Sequence, residues 1–346
     1  MVKETFSIIS IAALACLSSC SNDNTLTESD KNAIRFNTTL QGATRASVTE
    51  STFAAFNVTA LKGSSVYFTN LGVNKQSDGS WATERTEKWP PDGSSLQFFA
   101  YAPTTLSSKV IISNTEQKLT GYTPDSDVDN QADVLTAYNS ASGGTVQMTF
   151  KHALSMIEIK AQNSSTEGYE MKVKGVKLGW IPSTADMTFQ NADAFPQWAT
   201  PEANSEASYT IEGTPFSLTS STQSLMFDKD NFLMIPQQLT AWNNTTPTTK
   251  AAYIGVLCQI TNGSRNVYPT DPTKFAWVVT GINTLWEPGH KYVYTLDFFK
   301  NGGAGYIDPD DPDNPGAPVI NDVPISFSVS IKDWINGTGD NITVIN

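Results

Sequence analysis

The sequence predicts an all-β protein of two sandwich-like domains. Three observations carry this. Apolar residues alternate with polar ones in short runs, turn residues recur every eight to twelve positions, and no long stretch shows helical periodicity. At 346 residues the chain is long enough for two domains at about 150 residues each.

The elements follow in order. Ile34, Phe36 and Leu40 open the pattern as a first strand. Phe53–Ala60 and Val66–Phe68 come next. Asp78-Gly79 between Val73 and Trp81 predicts a hairpin, because this pair accepts the positive φ of a tight turn. Trp89–Gly93 carries a Pro-Pro-Asp-Gly turn, and Leu96–Tyr101 reads as a buried strand. Further strands are expected at Val110–Ile112, Asp133–Tyr138, Thr145–Phe150 and Ser155–Lys160. Asn163–Gly168 is a polar break, which sets the domains at 32–163 and 164–346. The second set is Met171–Leu178, Met187–Phe189, Ser208–Ile211, Phe232–Ile235, Ala252–Ile260, Phe275–Val279, Lys291–Phe298 and Ile325–Ile331. Gly302–Pro318, rich in Gly, Pro and Asp, reads as a loop, since proline cannot donate to a β-ladder.

The N-terminus is an export signal. Lys3 precedes a short apolar run, Phe6–Ala15, which ends in Leu17-Ser18-Ser19-Cys20. This is a bacterial lipobox, so residues 1–19 are the signal peptide and Cys20 is the lipidated first residue of the mature chain. The apolar run is shorter than the roughly 20 residues a spanning helix needs. Residues 20–31 are polar and read as a tether. The chain is therefore expected as an exported lipoprotein held by acyl chains.

A net charge of −12 disfavours nucleic acid as a partner. Catalytic material is sparse. His152 and His290 are the two histidines, and no nucleophile elbow, phosphate loop or metal-binding His/Cys spacing occurs. The reading is of a non-enzyme without a cofactor. His152 is expected to hydrogen-bond a turn, and Cys258, in the apolar run Tyr253–Ile260, to be a buried thiol. Asp308, Asp310, Asp311 and Asp313 could offer oxygen ligands to calcium, as could Asp125, Asp127 and Asp129. Prolines interrupt the first set and no bidentate Glu follows it, so it reads as a solvated acidic loop without a metal. Asn-x-Ser/Thr triplets at Asn57, Asn163 and Asn341 reflect a polar surface rather than glycosylation in a bacterial protein. Trp180, Trp198, Trp242, Trp277 and Trp286 could present rings to a sugar or pack a core.

Several segments together resemble the fimbrillin family, the Mfa-like and type V pilin-related surface lipoproteins of Bacteroidales. They are Ile34–Phe36 leading into Ala43–Ala46, Leu96–Pro103, Val146–Ile157, Phe232–Leu239, Trp286–Tyr294 and Val329–Trp334. The resemblance implies two transthyretin-like β-sandwich domains and display at the outer membrane, cell surface or fimbrium. It implies association with itself or with other fimbrial subunits. In pilin members a trypsin-like protease cuts after an arginine near the start of the fold, and a neighbour's strand replaces the one released. Arg45, followed by Ala46, sits where that cut would fall. Ile325, Phe327, Val329 and Ile331 alternate without a fault and form the candidate donor strand. The alternative is a non-polymerising surface lipoprotein that binds a glycan or host ligand.

Overall fold

The computed structural model describes residues 32–41, 51–334 and, as backbone, 343–345. The all-β expectation is borne out: among the described residues, apart from two short 3-10 turns, every regular element is a strand.

The first half contains β1 (Arg35–Gln41), β2 (Ala55–Lys62), β3 (Ser65–Lys75), β4 (Trp81–Thr83), β5 (Leu96–Ala102), β6 (Val110–Ile112), β7 (Gln117–Tyr122), β8 (Leu135–Ala141) and β9 (Thr145–His152). Seven of these form one sheet in the order β1-β9-β8-β5-β2-β3-β4. The sheet curls on itself. Residues next to its two edge strands meet, where Ile34 N–H donates to Glu87 O at 2.8 Å and Ala33 bridges Lys88. The enclosed core is aromatic, with Phe36, Phe56, Phe98 and Phe150 all buried. The predicted hairpin is β3–β4, closed by Gly79 N–H to Gln76 O at 3.0 Å with Gly79 at φ 86°.

The second half contains β10 (Ser155–Asn163), β11 (Tyr169–Pro182), β12 (Ala185–Thr188), β13 (Gln197–Trp198), β14 (Glu206–Ser217), β15 (Gln223–Ser224), β16 (Phe232–Met234), β17 (Tyr253–Asn262), β18 (Arg265–Tyr268), β19 (Ala276–Gly281), β20 (His290–Phe298), β21 (Tyr306–Ile307), β22 (Ser326–Asp333) and β23 (Thr343–Ile345). Two sheets, β15-β10-β20-β22-β23 and β14-β11-β17-β19-β21, face each other across one core. Alternation puts Tyr292, Tyr294, Leu296 and Phe298 of β20 into it, opposite Val176 and Leu178 of β11.

Three expectations shift. Asn163–Gly168 is a turn, with Asn163 Oδ1 accepting from Ser165 N–H at 2.9 Å. However, β10 before it pairs with β15, β16 and β20. By pairing, β10 goes with the later strands, so the change of sheet falls at Ala153-Leu154 rather than at 163/164. The loop Gly302–Pro318 contains a two-residue strand, β21, which pairs Tyr306 and Ile307 with Val279 and Val278 before Pro309 ends the ladder. The strand β7 is absent from the sequence reading, because Leu119 and Tyr122 are its only apolar buried residues.

The halves are joined by strand pairing as well as packing. β7 and β12 pair antiparallel in a small sheet, β13-β12-β7-β6. Asp186 Oδ1 accepts the Gly121 N–H at 2.7 Å beside this ladder. A separate core cluster, with Phe99, Tyr101, Leu154, Met156, Met187 and Trp334, draws on both halves.

Candidate subunit-assembly surfaces

The first strand is a sheet edge. Within its sheet β1 pairs with β9 alone, in parallel, from Arg35↔Thr145 to Gln41↔Lys151. Its inward anchor is Phe36, 2% exposed, which meets Phe56 and Phe98 edge-on at ring-centroid distances of 6.0 and 5.7 Å. Ile34 is buried with it, and Leu40 is half-buried against the same core. Burying a phenylalanine in this way contributes about 1.5–3 kcal/mol, and edge-on pairs add to it. Without β1, the seven-residue outer edge of β9 would be unpaired beside an apolar slot lined by Val146, Met148 and Phe150.

The candidate donor segment lies in the second half. Ile325 and Val329 are buried at 2% exposure, and Phe327 and Ile331 pack against the same core. β22 is held antiparallel to β20 from Asp297↔Ser326 to His290↔Asp333, and to β23 on its other side. The four side chains share the inward face, as alternation requires. Beside them lies a groove of about 720 Å³, lined by Ile325, Phe327 and Val329 together with Trp242, Tyr306 and Leu285. Leu285 is 49% exposed on its rim. Cys20, Arg45 and Ala46 lie outside the described residues.

The acidic loop departs from a solvated one at its first residue. Asp308 is 5% exposed and Lys177, on β11, is 7% exposed, and the two form an ion pair. Tyr253 Oη–H donates to Asp308 Oδ1 at 3.1 Å. Burial, with the charges of Asp308 and Asp310, pushes the Tyr253 hydroxyl far up. Asp310 and Asp313 are exposed, and Asp311 Oδ1 accepts the Asp313 and Asn314 N–H groups at 3.0 and 2.9 Å. In the second acidic set, Asp125 and Asp127 cap the N–H groups of Asp127 and Asp129, and Asp129 pairs with Lys229. Among the described residues no three His, Cys, Asp or Glu converge on a metal position.

The remaining candidates are mostly structural. Trp180, Trp242 and Trp286 are buried, whereas Trp198 and Trp277 are half-buried. Cys258 is fully buried and burial pushes its thiol far up. His290 opens β20 and does contact the turn before it, with Nδ1 2.9 Å from Pro288 O. His152 does not. It is buried at 1%, with Nδ1 2.7 Å from Asp133 Oδ2 and its ring on Trp334. No local sequence signal marks the His152–Asp133–Trp334 contact, because its members are far apart in the chain. Nor does one mark Leu285 as a rim residue, because it bridges Gln238 beside the buried Trp286 while its own side chain stays exposed. Among the described residues no helix is long and apolar enough to cross a membrane.

The described residues thus form an all-β protein with an edge strand, β1, paired on one side within its sheet and an alternating strand, β22, near the end of the second half. The fimbrillin-like family pattern matches residues 37–334, and the chain belongs to that family. Two solved structures share the fold. A fimbrial protein from Bacteroides vulgatus is 16% identical with a TM-score of 0.57, covering 88% of this chain and 99% of its own. A fimbrilin from Porphyromonas gingivalis is 10% identical with a TM-score of 0.51, covering 90% of this chain and 100% of its own. No match was found among curated proteins.

Proposed function

We propose that this chain is a structural fimbrial subunit or fimbria-associated surface lipoprotein acting in adhesion. On this reading Cys20 is acylated and anchors the chain at the outer membrane, and the halves are transthyretin-like sandwiches. The observation that carries the assembly step is the position of β1. It is an edge strand, bonded to β9 alone within its sheet and plugged in by Phe36. Such a strand can be exchanged for one from another subunit, which would satisfy the same N–H and C=O groups and refill the same slot. Arg45 lies between β1 and β2 in sequence, in the small, polar run Gln41–Ser47, a run of the kind proteases reach. Cutting after it would free β1 covalently. The donor is Ile325–Ile331, whose alternating apolar face matches the slot; donating it requires β22 to leave β20.

Limited digestion with an arginine-specific protease tests this. Cut protein at high concentration should form SDS-resistant ladders, and Arg45→Ala protein should not. Protein cut after Arg45 that stays monomeric would remove the donor-strand role. The non-polymerising lipoprotein that binds a glycan or host ligand would then stand, with Trp198 and Trp277 as its half-buried rings.

A further inference from the structure

The Lys177–Asp308 pair sits where a salt bridge is costly and a covalent bond is chemically prepared. Lys177 faces away from the main sandwich core, between Val176 and Leu178, which face into it. The loop after β21 covers it. Its Nζ lies over the Tyr253 ring at 5.4 Å and the Trp277 ring at 4.7 Å. Gly255, its register partner on β17, leaves room for the stem: a Cβ there would come within 3.2 Å of Lys177 Cε. Two charges taken out of water at such a site carry a desolvation cost that their attraction only partly offsets.

The carboxylate is also held asymmetrically. Oδ2 meets Lys177 Nζ. Oδ1 accepts two hydrogen bonds, from Tyr253 Oη–H at 3.1 Å and from the Asp310 backbone N–H at 3.0 Å. Two donors on one oxygen, with an amine held against the other, is the arrangement that stabilises a tetrahedral acyl intermediate. The raised Tyr253 hydroxyl keeps its proton and stays a donor.

We propose that Lys177 and Asp308 condense to an intramolecular amide. Within the ion pair one proton moves from Nζ to Oδ2, leaving a neutral amine and a carboxylic acid. The Nζ lone pair attacks Cγ, and the C=O electron pair moves onto Oδ1, where Tyr253 and the Asp310 N–H hold it. A second Nζ proton passes to the Oδ2 hydroxyl, which leaves as water as the carbonyl re-forms. Ammonium and carboxylate become one amide and one water, with no oxidant or co-reactant. Holding the two groups in contact supplies the high effective concentration that amide formation otherwise lacks. The product removes both buried charges and ties β11 covalently to the β21 loop. For a surface protein under mechanical load, the bond would clamp the second half against unfolding. The proposal is independent of donor-strand assembly.

Peptide mass spectrometry of the full-length protein tests it. After denaturation and digestion, the fragments carrying Lys177 and Asp308 should run as one species about 18 Da lighter than their sum. Trypsin should fail to cut after Lys177. Lys177→Arg should release separate, unmodified fragments. Tyr253→Phe should slow water loss during refolding by about 10²-fold, by removing one donor from Oδ1. Wild-type protein that trypsin cuts after Lys177, with Asp308 recovered at its full residue mass, would overturn the proposal and leave an ion pair only. That readout needs no variant, so a Lys177→Arg protein that fails to fold does not obscure it.

Discussion

The imidazole of His152 lies flat against the indole of Trp334, with ring centroids 4.0 Å apart and planes inclined by 10°. His152 ends β9 in the first half, and Trp334 follows β22 at the end of the second. Behind the imidazole, Asp133 Oδ2 is 2.7 Å from Nδ1 and fully buried. The Trp334 backbone N–H donates to Gly289 O at 2.7 Å, which anchors the main chain that carries the indole. The end of the first half and the end of the second therefore meet at the junction of the halves.

Trp334→Ala should destabilise the protein by about 3–5 kcal/mol, the range for deleting a large buried aromatic. Trp334→Phe should cost less, because it keeps a ring over His152 and removes a buried indole N–H that has no acceptor. Urea titrations of the three proteins check the order. Equal losses for Ala and Phe would mean that the stack carries no weight.

The parts of this fold visible in the sequence are those set by local period. Tyr292 to Phe298 and Val146 to Phe150 alternate in sequence, and the same residues line the two cores. The turn at Asp78-Gly79 was equally visible, since φ preference is local. What stayed hidden depends on partners distant in sequence. Asp308 sits in a run of Asp and Pro that looks solvated, and only the fold brings Lys177 beneath it. His152 looks like a strand-end residue until Trp334 arrives. The exchange of β10 into the later sheet is hidden for the same reason: Ser155–Asn163 reads as a strand in either half, and β20 decides which.

Glu158 gives the stability an acid limb. Burial alone would raise its carboxyl, but Lys291 at 2.5 Å and Lys160 at 3.1 Å outweigh burial and hold it below its ordinary 4.5. A carboxyl with a depressed folded pKa favours the folded state above its unfolded value. That contribution is lost as pH falls through the folded pKa. Wild-type protein should thus lose stability from about pH 4.5 downward more steeply than Glu158→Gln, by roughly 1 kcal/mol or less. Urea midpoints at neutral pH and near pH 3 measure the difference, and parallel curves would show that Glu158 does not contribute.

Gly179 is fixed by the ring above it. A Cβ there would meet Tyr253 ring carbons at 2.0 to 2.5 Å. Gly179→Ala should cost about 1–3 kcal/mol or more through overpacking. It should also pull Tyr253 off Asp308, because the same ring carries the hydroxyl. Thermal unfolding checks the first effect. The second appears as a change in tyrosine absorbance, and an unchanged melting point would show that the sheet yields at no cost.

Phe36 should decide how firmly β1 stays once the chain is cut. In the intact protein Phe36→Ala should cost about 3–5 kcal/mol, since it opens a cavity among Phe56, Phe98 and Phe150. After cleavage at Arg45 the same energy becomes an affinity. The freed segment would be held by its ladder to β9, by Ile34 and Leu40, and above all by this ring. Each 1.4 kcal/mol is a factor of ten, so losing about 3 kcal/mol should weaken retention roughly 10²-fold. Gel filtration of cut protein, followed by mass measurement, reads this directly. The wild-type β1 peptide should elute with the body of the protein, and the Phe36→Ala peptide should separate. Replacement by a competing strand should then be faster in the variant, because departure of β1 limits exchange. If both peptides separate equally, the ladder rather than the ring holds β1, and a substitution that blocks the β9 backbone becomes the way to control assembly.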